Sequence, residues 1–225
     1  MKIKCLYDFN SFSEFSKFTD FTEKINWKIE KQLLKNRVTK YSKLTYFIEF
    51  KHRFYDKKLS IFPLKDEEVI TWFDTTVLLR RTLVNLYKKG VNTENLSIIM
   101  EYPVIFGNHM RSDYLLIIDR LIVVLEFGMF NQDERRSEER YTKKLQESIS
   151  YRQIISNNVS NKIKVINYVL IYKPEFNDDL NISMIDNIKY NQLEVNKLVQ
   201  FLELHISNEN VESAKFQLEN IANFD

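Results

Sequence analysis

Apolar residues recur along this chain in two rhythms, and the switches between them predict where helix gives way to sheet. Over residues 11–37, Phe15, Phe18, Phe21, Ile25, Ile29 and Leu33 return every three or four positions, the repeat of one helical face. From 44 to 62 the pattern is mixed. LTYFIEF and LSIF carry strand-like content around the charged KHRFYDKK, which predicts a hairpin or short strands. Pro63 breaks the chain, and in the segment that follows Val69, Trp72, Thr76, Leu79, Leu83 and Leu86 mark one helical face. Asp66, Glu67 and Glu68 open that helix, Lys88 and Lys89 close it, and Gly90 lies just beyond. The helix dipole and a glycine C-cap favour this order.

The middle of the chain changes period. LSIIMEYPVIF (96–106) is a β-rich run interrupted by Pro103, GNHM is a turn, and SDYLLI (112–117) is a strand. Asp119-Arg120 forms a tight turn, and LIVVLEF (121–127) is a strand apolar enough to be buried on both faces. Helix resumes over 132–156, and VINYVLIY (165–172) is one more strand, closed by Pro174. Residues 185–206 return to helix, and 209–222 are a further helical candidate. Helices, three strands, helix, strand, helix: this order predicts an α/β (α+β) fold with a central mixed β-sheet flanked by helices. Residues 1–64 form a basic N-terminal region of helix and short strands, and 65–225 form the core with its C-terminal helices. No internal repeat or low-complexity linker interrupts this plan.

Composition narrows the setting. Three glycines and three prolines in 225 residues leave most of the chain to regular structure. The single cysteine, Cys5, excludes an intramolecular disulfide framework and a Cys-cluster metal site, and fits a reducing compartment. No run of about 18 uncharged apolar residues is present and MKIKCLYDFN lacks a signal-peptide core, so a cytoplasmic protein without a membrane partner is expected. The net charge of +2 hides an asymmetry: residues 1–58 carry 14 Lys and Arg against 7 Asp and Glu, leaving −5 for the remaining 167. A basic half interleaved with Trp27, Tyr41, Tyr46, Phe47, Phe50, Phe54 and Tyr55 has the makings of a surface that follows phosphates and stacks on bases. The alternative is a solvated helical face whose aromatic side lies in the core.

Two acids stand out inside apolar runs. Asp113 precedes YLLII and Glu126 follows LIVVL. With the turn at Asp119-Arg120, Asp113 lies six residues before it and Glu126 six after, so the two face each other on neighbouring strands, about 5 Å apart at Cα. Carboxylates that close repel unless a cation sits between them. An oxygen-only pair suits Mg²⁺ or Mn²⁺ better than zinc. The competing reading of Asp113 is an ion pair with Arg111 or Arg120, and that of Glu126 a strand-end acid. His52, His109 and His205 have no metal-ligand spacing, and DERRSEER (133–140) reads as a salt-bridged helical face. His109, in the loop before Asp113, is placed to contact a phosphate. There is no glycine-rich phosphate loop, nucleophilic Ser or Cys signature, or zinc spacing.

The stretch Glu101-Tyr-Pro, Arg111-Ser-Asp113, Val-Val-Leu-Glu126-Phe-Gly128 resembles the core of the PD-(D/E)XK, or restriction-endonuclease-like, superfamily. It is most similar to the nuclease-like domain found in front of some bacterial superfamily 1 helicases. There an acidic EYP strand, an R-x-D strand and an apolar strand ending in E-[FL]-K precede a helix carrying Gln, and a helix with an early Trp, as Glu68 and Trp72 here, comes before the block. The likeness covers residues 66–172. It implies a metal held by Asp113 and Glu126 with Glu101 as a third acid, and Gln146 presented toward the scissile phosphate. It further implies a Mg²⁺- or Mn²⁺-dependent nuclease acting on DNA or RNA, in phage defence or a mobile element.

One position departs from the motif. The lysine expected two residues after Glu126 is Gly128, which supplies no charge beside the attacking water. Either the charge has moved to the next helix, or the site no longer cuts and the domain binds nucleic acid or a protein. On that helix Lys143, Gln146, Ser150 and Gln153 share a face. Lys143 is the first choice, with Lys144 and Arg140 next. The partners expected are nucleic acid, a second copy of the chain, or a defence-system protein docked on the basic half.

Overall fold

The computed structural model describes residues 3–60, 62–104, 110–130, 134–206 and 218. The chain opens with strand β1 (Tyr7–Phe9) and helix α1 (Phe12–Lys24). Ser11 caps the helix by accepting from the Glu14 N–H at 3.2 Å, and Glu14 reaches back to the Asn10 N–H at 2.7 Å. The helical repeat expected to run to residue 37 stops at Asn26, which adopts φ 49°. Beyond it Trp27 and Ile29 are buried while Lys28 is exposed, a period of two, and the segment is extended. The pair Ile25 and Ile29 imitates helical spacing across that break, and Leu33 is 75% exposed.

Helix α2 (Leu34–Tyr41) follows, then α3 (Thr45–Asp56), where short strands were expected. Aromatic content argued for strand there, but Phe47, Phe50 and Phe54 bury at three- and four-residue intervals, and that repeat decides the element. The long α4 (Asp66–Lys88) matches its expected span, and its six marked face residues are all buried.

The sheet is built from β2 (Ser97–Pro103), β3 (Arg111–Ile118) and β4 (Leu121–Met129), crosses over α5 (Glu134–Asn158), and finishes with β5 (Lys164–Tyr172). Strand order is β1-β2-β3-β4-β5; every neighbouring pair is antiparallel except β4 and β5, which run parallel. The crossover helix makes that parallel pairing possible. A short hairpin, β6 (Phe176–Asn177) with β7 (Ile182–Ser183), leads to α6 (Ile185–His205). The candidate helix at 209–222 lies, apart from Leu218, outside the described residues, as does His109. This is the mixed sheet flanked by helices that the pattern predicts; its strand β1 and the separate β6–β7 hairpin were not anticipated.

Alternation divides the core. On one face Leu116, Val123, Leu125 and Phe127 pack with Val69 and Leu79 of α4, and with Phe15, Phe21, Phe47 and Phe50 from the basic N-terminal segment. On the other face Leu115, Ile122 and Val124 meet Tyr151 and Ile155 of α5. The N-terminal segment thus adds a strand to the sheet and aromatic rings to its core. No described helix is long and apolar enough to cross a membrane.

One polar cluster is sealed inside. The Arg37 guanidinium donates to both oxygens of Asp74 at 2.8 and 2.7 Å and to the Lys28 carbonyl at 3.0 Å; Trp27 Nε1 donates to Asp74 at 2.8 Å. Arg37 and Asp74 are both fully buried. Burial opposes the Arg37 charge, but Asp74 outweighs it and holds the guanidinium above its ordinary pKa. The cluster bolts α2 and the extended segment 27–30 to α4.

Candidate active site

Strands β3 and β4 pair as Tyr114 with Leu125 and onward into the hairpin. One step outward the same register sets Asp113 opposite Glu126. There the backbone ladder is replaced by side chains. The Asp113 N–H donates to Glu126 Oε1 at 3.0 Å, and the Phe127 N–H donates to Asp113 Oδ2 at 2.7 Å. Each acid satisfies the other strand's backbone. By alternation both point to the α5 face, since Leu115, Ile122 and Val124 line that side.

Helix α5 brings a cation to them. Lys144 Nζ lies 2.7 Å from Glu126 Oε2 and 3.3 Å from Asp113 Oδ2, with Glu147 at 3.9 Å. The inward stripe of α5 runs from half-buried Lys144 through Ser148, Tyr151 and Ile155, at helical intervals from the lysine. The face expected to carry the chemistry is the other one. Lys143 is 79% exposed, its nearest carboxylate Glu147 at 3.9 Å, and Gln146 is exposed, about 200° round the helix from Lys144. The structure therefore brings Lys144, and neither Lys143 nor Gln146, to the acid pair. The apolar anchors Tyr151 and Ile155 were the signal that identifies the inward stripe.

Gly128, two residues past Glu126, faces the same helix. A Cβ there would lie 2.5 Å from Ile171 Cδ1 and 3.9 Å from Arg140 Cγ and Cδ. The stem of a lysine has no room without Ile171 shifting, and the charge arrives from α5 instead.

Glu101, level with Asp113 in the register of β2 and β3, feels its charge but is hydrogen-bonded elsewhere. At φ 55° its left-handed backbone reverses the alternation of β2, turning its carboxylate toward α4. There it accepts from Trp72 Nε1 at 2.7 Å and Arg111 Nε at 2.8 Å. Arg111 also bonds Glu68 at 2.7 Å, so this arginine belongs to Glu101 and Glu68 rather than to Asp113. Of the aromatics read as base-stacking candidates, Trp27, Phe47, Phe50 and Phe54 are buried, Tyr41 and Tyr46 pack against the core, and Tyr55 is exposed.

The electrostatics follow from burial. Glu126 is fully buried, and desolvation first, then the neighbouring Asp113, push its carboxyl up to about 8 against the pull of Lys144. Burial opposes the Lys144 charge, but Asp113 and Glu126 together outweigh it and raise the ammonium above its ordinary pKa. Two acids and one ammonium leave a surplus negative charge, which a proton cancels in the absence of a metal. Glu101 is likewise pushed up to about 7, by burial above all and against Arg111. Both folded-state values lie above the ordinary 4.5, so the stability these groups contribute is complete below that pH and drains as pH rises through 7 and 8. Urea denaturation from pH 5 to 9 is expected to show stability falling as pH rises. Glu126→Gln should flatten the upper part of that fall; an unchanged slope in the variant would contradict the assignment.

The donor set fits a divalent cation of modest demands. Among the described residues no group of three or more His, Cys, Asp and Glu converges to cage a metal. Glu101 is committed to Trp72 and Arg111. Asp113 Oδ1 makes no hydrogen bond among the described residues, and its side chain is 23% exposed. Two carboxylates, with waters and substrate oxygens for the rest, are what Mg²⁺ accepts. No protein-family model, curated protein or solved structure matches the chain.

Proposed function

We propose that this chain is a divalent-metal-dependent nuclease of restriction-endonuclease-like architecture, hydrolysing phosphodiester bonds in DNA or RNA. The observation that carries the reading is the Lys144 ammonium held between two opposed strand carboxylates, Asp113 and Glu126. The motif likeness supports it: the helix with Glu68 and Trp72, the EYP strand, the strand bearing Asp113, the strand bearing Glu126 and the crossover helix occur in the order it implies. Asp113 and Glu126 would hold Mg²⁺ or Mn²⁺, which when bound lowers the pKa of a water and neutralises phosphoryl charge. Lys144 supplies the fixed positive charge that orients the attacking water and meets charge developing on the phosphorane. Its position on a packed stripe of α5 costs no reorganisation as the reaction proceeds. The proposed setting is the cytoplasm, with phage defence or a mobile element as the role by analogy.

A second reading rests on Gly128. If the ammonium is a structural lock on the acid pair, the domain binds nucleic acid, or a partner protein, without cutting it. Incubation of plasmid and of RNA with Mg²⁺ or Mn²⁺ separates the two. The nuclease reading expects degradation that stops with EDTA and in Asp113→Ala and Glu126→Ala. Equal inertness of wild type and both variants, with salt-sensitive DNA binding retained, gives the case to the binding module.

A further inference from the structure

Three cations converge on one apolar-floored cavity beside the acid pair, and none of them has a carboxylate partner among the described residues. Lys31 reaches it from the extended segment before α2, Arg140 from α5, and Lys173 from the end of β5. The cavity holds about 510 Å³ and is floored by Leu34, Met129 and Phe130. Lys173 Nζ stands 4.4 Å from the Phe130 ring centre and 4.3 Å from that of Tyr190, so its charge is held by aromatic faces rather than by an acid. Among the described residues no acid lines this cavity. The neighbouring one, about 640 Å³, shares Phe130 and Lys173 but carries Glu138 and Glu194, which disfavours an anionic chain there.

Arg140 links the cavity to the site. Arg140 lies one helical turn before Lys144, about 6 Å along α5, and its stem covers Gly128. Along β4, Phe130 is four residues past Glu126, about 13 Å. From these placements we infer that the cavity is a subsite for single-stranded nucleic acid, DNA or RNA, seating the nucleotides that flank the reacting phosphate. The inference rests on the nuclease reading for the direction of the strand. Cations without a carboxylate partner among the described residues track the phosphates, and the half-buried Phe130 with its apolar neighbours receives a splayed base. A concave cavity of this size admits an unstacked base; a duplex keeps its bases stacked inside.

Fluorescence anisotropy tests this with labelled oligothymidylate and oligouridylate, each with its duplex as competitor, in EDTA so that nothing is cut. Wild type is expected to bind single strands at least tenfold more tightly than duplex, and the two labels separate DNA from RNA. Lys31→Ala/Lys173→Ala should weaken binding tenfold or more. It should also reduce the slope of log affinity against log salt by about 1.4, the value for two lost phosphate contacts on a single strand. Lys31→Arg/Lys173→Arg should restore both, which a merely unfolded variant would not allow. Unchanged affinity and slope in the alanine variant, or a duplex that competes equally, overturns the subsite. If that happens while wild type still cuts with Mn²⁺, the nuclease reading stands and only the subsite fails. If strand binding follows the expected pattern and wild type never cuts, the subsite stands and the nuclease reading fails.

Discussion

Lys144→Ala is expected to lower metal-dependent cleavage by about 10²- to 10³-fold, the usual cost of removing one preorganised charge from a phosphoryl transition state. The same change has a second readout that does not depend on turnover. Without the ammonium, Glu126 and Asp113 face each other unscreened, and the apoprotein should melt at lower temperature. Mg²⁺ or Mn²⁺ should then restore the melting point by more than it raises that of wild type, because the metal no longer competes with Nζ at 2.7 Å for the same carboxylate. A variant that loses activity but shows no enhanced stabilisation by metal would mean that Lys144 does not share oxygens with the ion. Gly128→Lys in that background tests whether the motif position is equivalent. The new Cβ would meet Ile171 Cδ1 at 2.5 Å, a terminal methyl that must swing aside, so rescue is expected to be fuller when Ile171→Ala is added.

Asp74→Ala is expected to cost about 3–5 kcal/mol, the penalty for breaking a buried ion pair by removing one partner, with Glu30 at 3.9 Å the one acid left beside Arg37 among the described residues. Arg37 is fully buried and donates two of its hydrogen bonds to Asp74; Trp27 loses its acceptor as well. Chemical denaturation would measure the loss, and Asp74→Ala/Arg37→Met should recover much of it, since removing both charges avoids the orphaned guanidinium. If the single variant unfolds within 1 kcal/mol of wild type, water must reach the cluster, and the fixed packing of α2 on α4 would need revision. The pair touches none of Asp113, Glu126 and Lys144, so the variant reads folding before it reads the acid pair.

The contrast between these two clusters explains what the sequence made legible. Asp113 and Glu126 were readable because each interrupts a buried strand, and the turn at Asp119-Arg120 sets their register. The helix α4 was readable from its face and its end charges. Lys144 was harder: polar residues fill most of α5, and a face chosen by its polar members points to solvent, whereas Tyr151 and Ile155 mark the side that packs. Arg37 and Asp74 are 37 residues apart in sequence, and no local period couples them. The α3 helix was hidden by its aromatics, whose strand preference expresses burial against neighbours and yields to the helical repeat. Glu101 kept its expected strand but not its expected direction, because a single left-handed residue inverts alternation, and only the backbone records that.

The exchange of backbone hydrogen bonds by Asp113 and Glu126 bears on how any loss of activity is interpreted. These acids close the open end of the β3–β4 ladder as well as bearing charge. Alanine at Asp113 therefore removes an acceptor from the Phe127 N–H and loosens the hairpin's mouth, confounding a chemical defect with a mechanical one. Asparagine keeps an oxygen where the Phe127 N–H points at 2.7 Å and deletes only the charge. The two substitutions together partition the residue between its roles: what asparagine retains belongs to the sheet, and what it loses belongs to the reaction.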